Sequence, residues 1–278
     1  MPRTQSPSSI DTFKQCPRRY YYAYIAKLSQ TQNIHCLRGN IVHNALEHFF
    51  DIDTANINAN NFISCLSSHL KNLFEDAWNK SSNKLQKLDL GEEKLQFYYE
   101  DSLTMLANWL NTNINLIQKK IPQSSFNEAF ETLKPAFREQ HFSSSKYKVR
   151  GFIDAIHIDG NNVKVLDYKT SKSPDFKPSY KLQLGIYALL YEEKFGKLPD
   201  EVGLWVLKHR EMKIPVTEDL VKHAKFEIEQ IHLNTETDDI KDYPRNPGPL
   251  CKYSTGQCNF YDVCFGLKTL EEAKKKKD

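Results

Sequence analysis

Apolar residues fall at positions 41, 42, 45, 46, 49 and 50, the spacing of one helix face. The same period runs through FISCLSSHLKNLFEDAW (62–78) and KLQFYYEDSLTMLANWLNTNINLI (94–117). Ahead of them, Ser8-Ser9-Ile10-Asp11 has the serine and the later acid of a helix start. It opens a helix through IDTFKQCPRRYYYAYIAKL that Pro17 must kink or break. After Pro135 the period becomes two. AFREQHF and YKVRGFIDAIHI read as strands, and GNN (160–162) as the hairpin turn before VKVLDYKT. YKLQLGIYALLYEEKF then reads as a helix closed by Gly196, and EVGLWVLKH as a strand. TEDLVKHAKFEIEQIHL is a helix entered at Thr217 and Glu218. YPRNPGPLCKYSTGQCNFYDVC has no period and reads as a loop that something must hold. The order helix, three strands, helix, strand predicts a mixed α/β fold, a central mixed sheet flanked by helices. One domain is expected over residues 1–265, with a helical insertion at about 45–133 and a charged tail at 266–278.

Length and composition change this picture little. The 278 residues suffice for one large domain. Hydrophobic residues make up 40% and charged ones 26%, ordinary for a globular chain. No stretch approaches the roughly 18 uncharged apolar residues of a membrane span, so no membrane partner is expected. The N-terminus has no apolar leader segment, which points to a reducing, cytoplasmic setting. A net charge of +3 neither demands nor excludes nucleic acid. The tail EEAKKKKD reads as a solvated end.

The strand VKVLDYKT carries the chemistry. Strand side chains alternate, so Val163, Val165, Asp167 and Lys169 share one face while Leu166 and Tyr168 take the other. Charge on an inward face is costly unless it is paired or holds a metal. The preceding strand contributes Asp154, read as sharing a face with Phe152 and Ile156, and the strand before that contributes Glu139. Adjacent strands lie about 4.8 Å apart, so these carboxylates can converge on one hard cation such as Mg²⁺ or Mn²⁺. A lysine beside them can orient a water or offset charge on a phosphate. This is equipment for metal-assisted phosphodiester hydrolysis. D-x-K alone would more often mark a surface salt bridge.

Four elements in order carry a resemblance: Gly39 to His43 in RGNIVH, Gly151 to Asp154, Asp167-Tyr168-Lys169, and Gln183 with Tyr187 one helical turn on. They resemble the motifs of the PD-(D/E)XK nuclease superfamily, and within it the RecB-like exonucleases. The resemblance implies a restriction-endonuclease-like core and a metal-dependent DNA exonuclease. By it, His43, Asp154, Asp167 and the carbonyl of Tyr168 bind the metal, and Lys169 positions or activates water. Gln183 and Tyr187 contact the DNA backbone or support the lysine. Glu139 falls where some relatives place an acid, with Glu47, on the His43 helix, as its competitor.

Six cysteines stand at 16, 36, 65, 251, 258 and 264. Cys36 and Cys65 lie in helical contexts and read as buried apolar residues. Cys251, Cys258 and Cys264, with the remote Cys16, make four thiolates, the ligand count of a structural zinc or an iron–sulfur cluster. One cysteine before the core and three after it, with Cys16 in SSxxxxxxxCPxxYxY surroundings, resembles the iron–sulfur subgroup of these nucleases. That subgroup includes the CRISPR-associated nuclease and many viral exonucleases. The first spacing departs from it, with six residues between Cys251 and Cys258 where two are commoner. The resemblance implies a 4Fe-4S cluster that staples residues 1–30 to 245–265.

Arg18, Arg19 and Tyr20 in CPRRYYYAY mix cations with aromatics and are candidate DNA contacts, although such tyrosines more often pack a helix on a core. Lys208, His209, Arg210, Lys213 and the 172–181 loop could line a basic groove. The expected substrate is DNA, as single strands or duplex ends, in recombination, repair, replication or CRISPR adaptation. No G-x-x-x-x-G-K-S/T motif is present, so a motor would be another chain, a helicase or recombination subunit. Two competing readings are a DNA-end-binding subunit on a nuclease fold and a zinc-stapled structural protein.

Overall fold

A computed structural model describes residues 3–253 and 256–274. The chain opens with α1 (Pro7–Gln15) and α2 (Pro17–Tyr20), the latter running on as a wider turn over Tyr21–Ile25. Cys16 is extended between them (φ −162°, ψ 108°), so Pro17 breaks the helix and begins the next one, where its fixed φ and missing N–H cost nothing. The start of α1 lies two residues before the expected one. Ser6 caps it by accepting from Ser9 N, Ser9 reaches back to the cap, and Pro7 takes the first helical position.

Next come α3 (Ile34–His48), α4 (Phe62–Lys80), α5 (Ser82–Gln86), α6 (Glu92–Lys120) and α7 (Phe126–Glu131). Asn33 caps α3 by accepting from Cys36 N, and Ser125 with Glu128 forms a reciprocal cap for α7. All six apolar positions of the 41–50 pattern are buried. Trp109, Met105 and Leu106 of α6 and Leu66, Leu70 and Phe74 of α4 pack with them.

The sheet is formed by β1 (Phe137–Ser144), β2 (Val149–Asp159), β3 (Asn162–Lys169), β4 (Glu201–Val206) and β5 (Glu211–Pro215), in that spatial order. All neighbours are antiparallel except β3 and β4, which run parallel. A parallel pair needs a crossover, and α8 (Pro178–Phe195) supplies it, ending at left-handed Gly196. The turn between β2 and β3 is Gly160-Asn161, with Gly160 at φ +58°. β5 is absent from the sequence expectation, because EMKIP carries only two large apolar side chains, Met212 and Ile214, neither fully buried, and lies at the sheet edge.

Helix α9 (Glu218–Leu233), capped by Thr217, lies on α8. The sheet therefore separates two cores. Val163, Val165, Val202 and Leu204 face α8, α9 and α1. Leu166, Tyr168 and Trp205 face the helices that precede the sheet. Among the described residues no helix is long and apolar enough to cross a membrane.

The C-terminal segment holds a short hairpin, β6 (Lys252–Tyr253) with β7 (Gly256–Gln257), then α10 (Tyr261–Cys264) and α11 (Leu270–Lys274). It meets the N-terminal helices directly. Arg18 Nε donates to Tyr243 O at 2.6 Å, Asn246 Nδ2 to Gln15 O at 2.8 Å, and Tyr22 packs on Phe260. Of the lysine run, Lys275 to Asp278 lie outside the described residues.

Candidate active site

Strands β2 and β3 pair only as far as Ala155–Leu166. Beyond that they splay, and the fork between them collects the polar residues. Asp154 bridges the fork by accepting from Tyr168 N at 2.6 Å. The alternation of β1 and β2 breaks at this level. Ile153 and Ile156, three apart, both pack on the α8 side, as do Phe137 and Phe142, five apart. Glu139 sits opposite Asp154 with a left-handed φ of +44°, a conformation uncommon for a residue with a Cβ. So Asp154 does not share a face with Ile156. A local irregularity on both strands turns Glu139 and Asp154 into the fork, which strict alternation does not foresee.

His43 enters from α3. Its Nε2 donates to Tyr168 O at 3.1 Å, and its Nδ1 lies 3.1 Å from Glu139 and 3.5 Å from Asp154. Burial disfavours the imidazolium, but the charges of Asp154 and Glu139 outweigh it and hold the pKa of His43 well above its ordinary value. Among the described residues, His43, Glu139 and Asp154 are the one group of three such side chains whose ligand atoms lie within 4.8 Å of one another. Glu47, the competing acid, lies beside His48 instead.

Asp167, Lys169 and Gln183 form the other wall. Lys169 Nζ lies 2.7 Å from Asp167 Oδ2 and donates to Gln183 Oε1 at 2.8 Å. Gln183 Nε2 donates to Asp167 Oδ1 and to Tyr187 Oη, each at 2.8 Å. Tyr187 is buried, and a Cβ on Gly151 would stand 2.9 Å from its ring. Glycine at 151 therefore lets α8 approach closely enough for this network. Tyr187 and Gln183 thus support the lysine and the aspartate, and buried Tyr187 cannot reach a DNA backbone. Burial, then the neighbouring charge of Asp167, raises the pKa of Asp154 to about 6. Burial opposes the charge of Lys169, but Asp167 and Asp154 keep it above its usual value.

These donors fit a hard divalent cation: carboxylates, a backbone carbonyl and one imidazole. Asp167 Oδ2 is buried and already held by the Lys169 ammonium at 2.7 Å, so the fit rests on the chemistry of the donor set gathered at the fork. The walls enclose a cleft of about 610 Å³ that also includes Ser6, His141, Arg150 and Phe152.

Two residues outside the sequence expectation support the site. Arg38 is buried, donates to Thr170 O just beyond Lys169, and pairs with Asp101 of α6. Tyr180 places its ring 5.0 Å from Lys169 Nζ. Arg38 was legible as a cation inside an apolar helical stripe; Tyr180, three residues before Gln183, carried no such mark.

The other expected residues divide. Tyr20 is 1% exposed and bonds Gln5 through its hydroxyl, so it cannot stack a base; its helix packs on the core. Arg18 is committed to Tyr243 O, and Arg19 to Gln15. Lys208 is paired with Asp101 and Lys213 with Glu201, which removes both from a free basic groove. Cys36 is exposed and Cys65 half-buried, so neither is the buried apolar residue expected; Cys36 occupies the first turn of α3, on its solvent side. Cys16, Cys251 and Cys258 line one cavity of about 260 Å³. Burial raises the pKa of the Cys258 and Cys264 thiols, and Cys16 lies close enough to both to add to the rise.

Residues 4–265 match the family model of the PD-(D/E)XK nuclease superfamily. Over 174 residues the chain is 27% identical to the CRISPR-associated exonuclease Cas4 of Francisella tularensis subsp. novicida (strain U112), covering 60% of this chain and 85% of that protein. It is also similar to a crystal structure from Eubacterium rectale described as a candidate exonuclease. The TM-score there is 0.48 at 11% identity, covering 90% of this chain and 86% of that one.

Proposed function

Since the chain belongs to the PD-(D/E)XK nuclease superfamily, we propose that it is a divalent-metal-dependent DNA exonuclease. The observation that carries this reading is the fork itself. His43, Glu139 and Asp154 stand on one side, and Asp167, Lys169 and Gln183 on the other. His43, Asp154, Asp167 and the Tyr168 carbonyl would hold Mg²⁺ or Mn²⁺, with Glu139 beside them. The bound cation would supply Lewis-acid polarisation of the scissile phosphate and a more acidic water.

The protein's own groups do the rest. Lys169 keeps its proton under the influence of Asp167 and directs a positive charge at the phosphate and the attacking water. Gln183 fixes Lys169 and Asp167 relative to each other, so neither must reorganise as charge develops. Buried Tyr187 holds Gln183 from below.

The cysteines would carry a 4Fe-4S cluster with a structural role. Cys16, Cys251 and Cys258 around one cavity and Cys264 nearby suit four ligands drawn from the two ends of the chain. Such a cluster closes a loop of more than 200 residues and constrains the unfolded chain. Residues 1–265 would then work as one nuclease domain in a reducing cytoplasm, on DNA in recombination, repair, replication or CRISPR adaptation, with any helicase supplied by another chain.

The test is digestion of end-labelled single- and double-stranded DNA with Mg²⁺ or Mn²⁺, beside Lys169→Ala and an EDTA control. Metal-dependent shortening from one end, reduced about 100- to 1000-fold in the variant, is expected. Absence of cleavage by iron-replete protein would overturn the exonuclease reading in favour of a DNA-end-binding subunit.

A further inference from the structure

An exposed phenylalanine on a strand is ordinary by itself. Phe152 is 57% exposed two residues from Asp154, inside the catalytic cleft. The strand register gives it company. β1 and β2 pair His141 with Phe152 and Ser143 with Arg150, and the Glu139–Asp154 level follows on the same side of the hairpin. Gly151 and Ile153 point the other way, under α8, so Arg150 and Phe152 project together from the open face. The rings of His141 and Phe152 lie 4.9 Å apart at 58°. Arg150 is exposed and has no carboxylate partner among the described residues, whereas Arg38, Arg138 and Lys208 are each paired with an aspartate.

Resting on the nuclease reading above, we propose that this face is the track of one DNA strand leaving the scissile phosphate. Phe152, with His141 beside it, stacks a base next to the scissile phosphate, and Arg150 takes a phosphate further along the strand. Three features favour a single strand over a duplex or a peptide. Aromatic rings can stack only on a base that is unpaired or splayed. A free guanidinium beside an exposed ring matches a nucleotide, which offers a phosphate and a base at a regular interval. Each step of two residues along a strand is about 7 Å, so the metal level and Arg150 lie about 14 Å apart with the aromatic pair between them, a span of about two nucleotides. The face lines the same cleft as Asp154 and Lys169.

The test uses the full-length protein with Lys169→Ala, so that bound DNA persists, and single-stranded oligonucleotides carrying 2-aminopurine at successive positions from the end. One position is expected to be quenched on binding. Adding Phe152→Ala should abolish that quench and weaken binding about 10- to 100-fold, Phe152→Trp should restore both, and Arg150→Ala should weaken binding with the quench retained. An abasic residue at the quenched position should make Phe152→Ala nearly neutral, which a mere loss of stability would not do. Binding within twofold of the parent in Phe152→Ala, or additive penalties from the abasic site and the mutation, would overturn the track while leaving the nuclease reading intact. A wild-type protein that neither binds nor cleaves single strands would overturn the track alone, and one that cleaves neither single nor double strands would overturn the nuclease reading as well.

Discussion

The fork and the cysteine corner are both built from polar residues far apart in sequence, yet they are held in different ways. In the fork every key side chain stands on a strand or a long helix, and each is fixed by another: His43 by Tyr168 and Glu139, Lys169 by Asp167 and Gln183, Gln183 by Tyr187. Two large cores lie on either side. The corner joins chain ends through irregular backbone, a few side-chain-to-backbone bonds and an apolar cluster with only Tyr22, Leu28 and Phe260 fully buried. So few buried groups contribute little stability of their own. A site that must place charge accurately is built on the sheet, while the closure between the two segments rests on this small apolar cluster and, in the reading proposed above, on a group held by the thiols.

The sharpest way to separate the two regions is a pair of variants. Asp167→Asn should lower turnover about 100-fold or more with little change in iron content. Cys258→Ser should lose the iron, and with it a melting temperature difference of roughly 5–10 °C, taking a cross-link as about 2–4 kcal/mol. Iron assay, calorimetry and turnover per folded molecule read the two effects separately. Equal loss of turnover in both variants, after correction for folded fraction, would erase the distinction. Gln183→Ala should act within the fork at intermediate size, about 10- to 100-fold in activity or metal affinity, and most at subsaturating metal. An unchanged metal titration would mean that Lys169 and Asp167 hold each other unaided. Tyr20→Phe should have the smallest effect. It removes the two buried hydrogen bonds between the Tyr20 hydroxyl and the Gln5 amide, about 1–2 kcal/mol of stability, and leaves DNA affinity unaltered; a drop in affinity would return Tyr20 to the substrate.

Much of this architecture is legible in the sequence. The period of 41–50 gave a buried helix face, and the hairpin turn at Gly160-Asn161 appears where expected. The pairing of Asp167 with Lys169 on one strand face follows from alternation alone. The edge strand β5 carries too weak a pattern to be seen, and the supporting roles of Tyr180 and Arg38 are not written in local pattern: Arg38 acts through Thr170 and Asp101, both far away in sequence. Tyr20 was misplaced as a DNA contact for the same reason, because its burial comes from Gln5 and from Tyr243 more than 200 residues away.

Local pattern determined which residues form helices and strands, since periodicity and capping act over a few positions. It also determined which residue types could carry the chemistry. Only the tertiary structure decided that Glu139, not Glu47, stands beside His43, and that the alternation fails at Asp154. It also decided that Phe152 opens onto the cleft rather than into a core. Those outcomes depend on where β2 and β3 stop pairing and on how closely α8 can approach Gly151, and both are set by packing across the sheet.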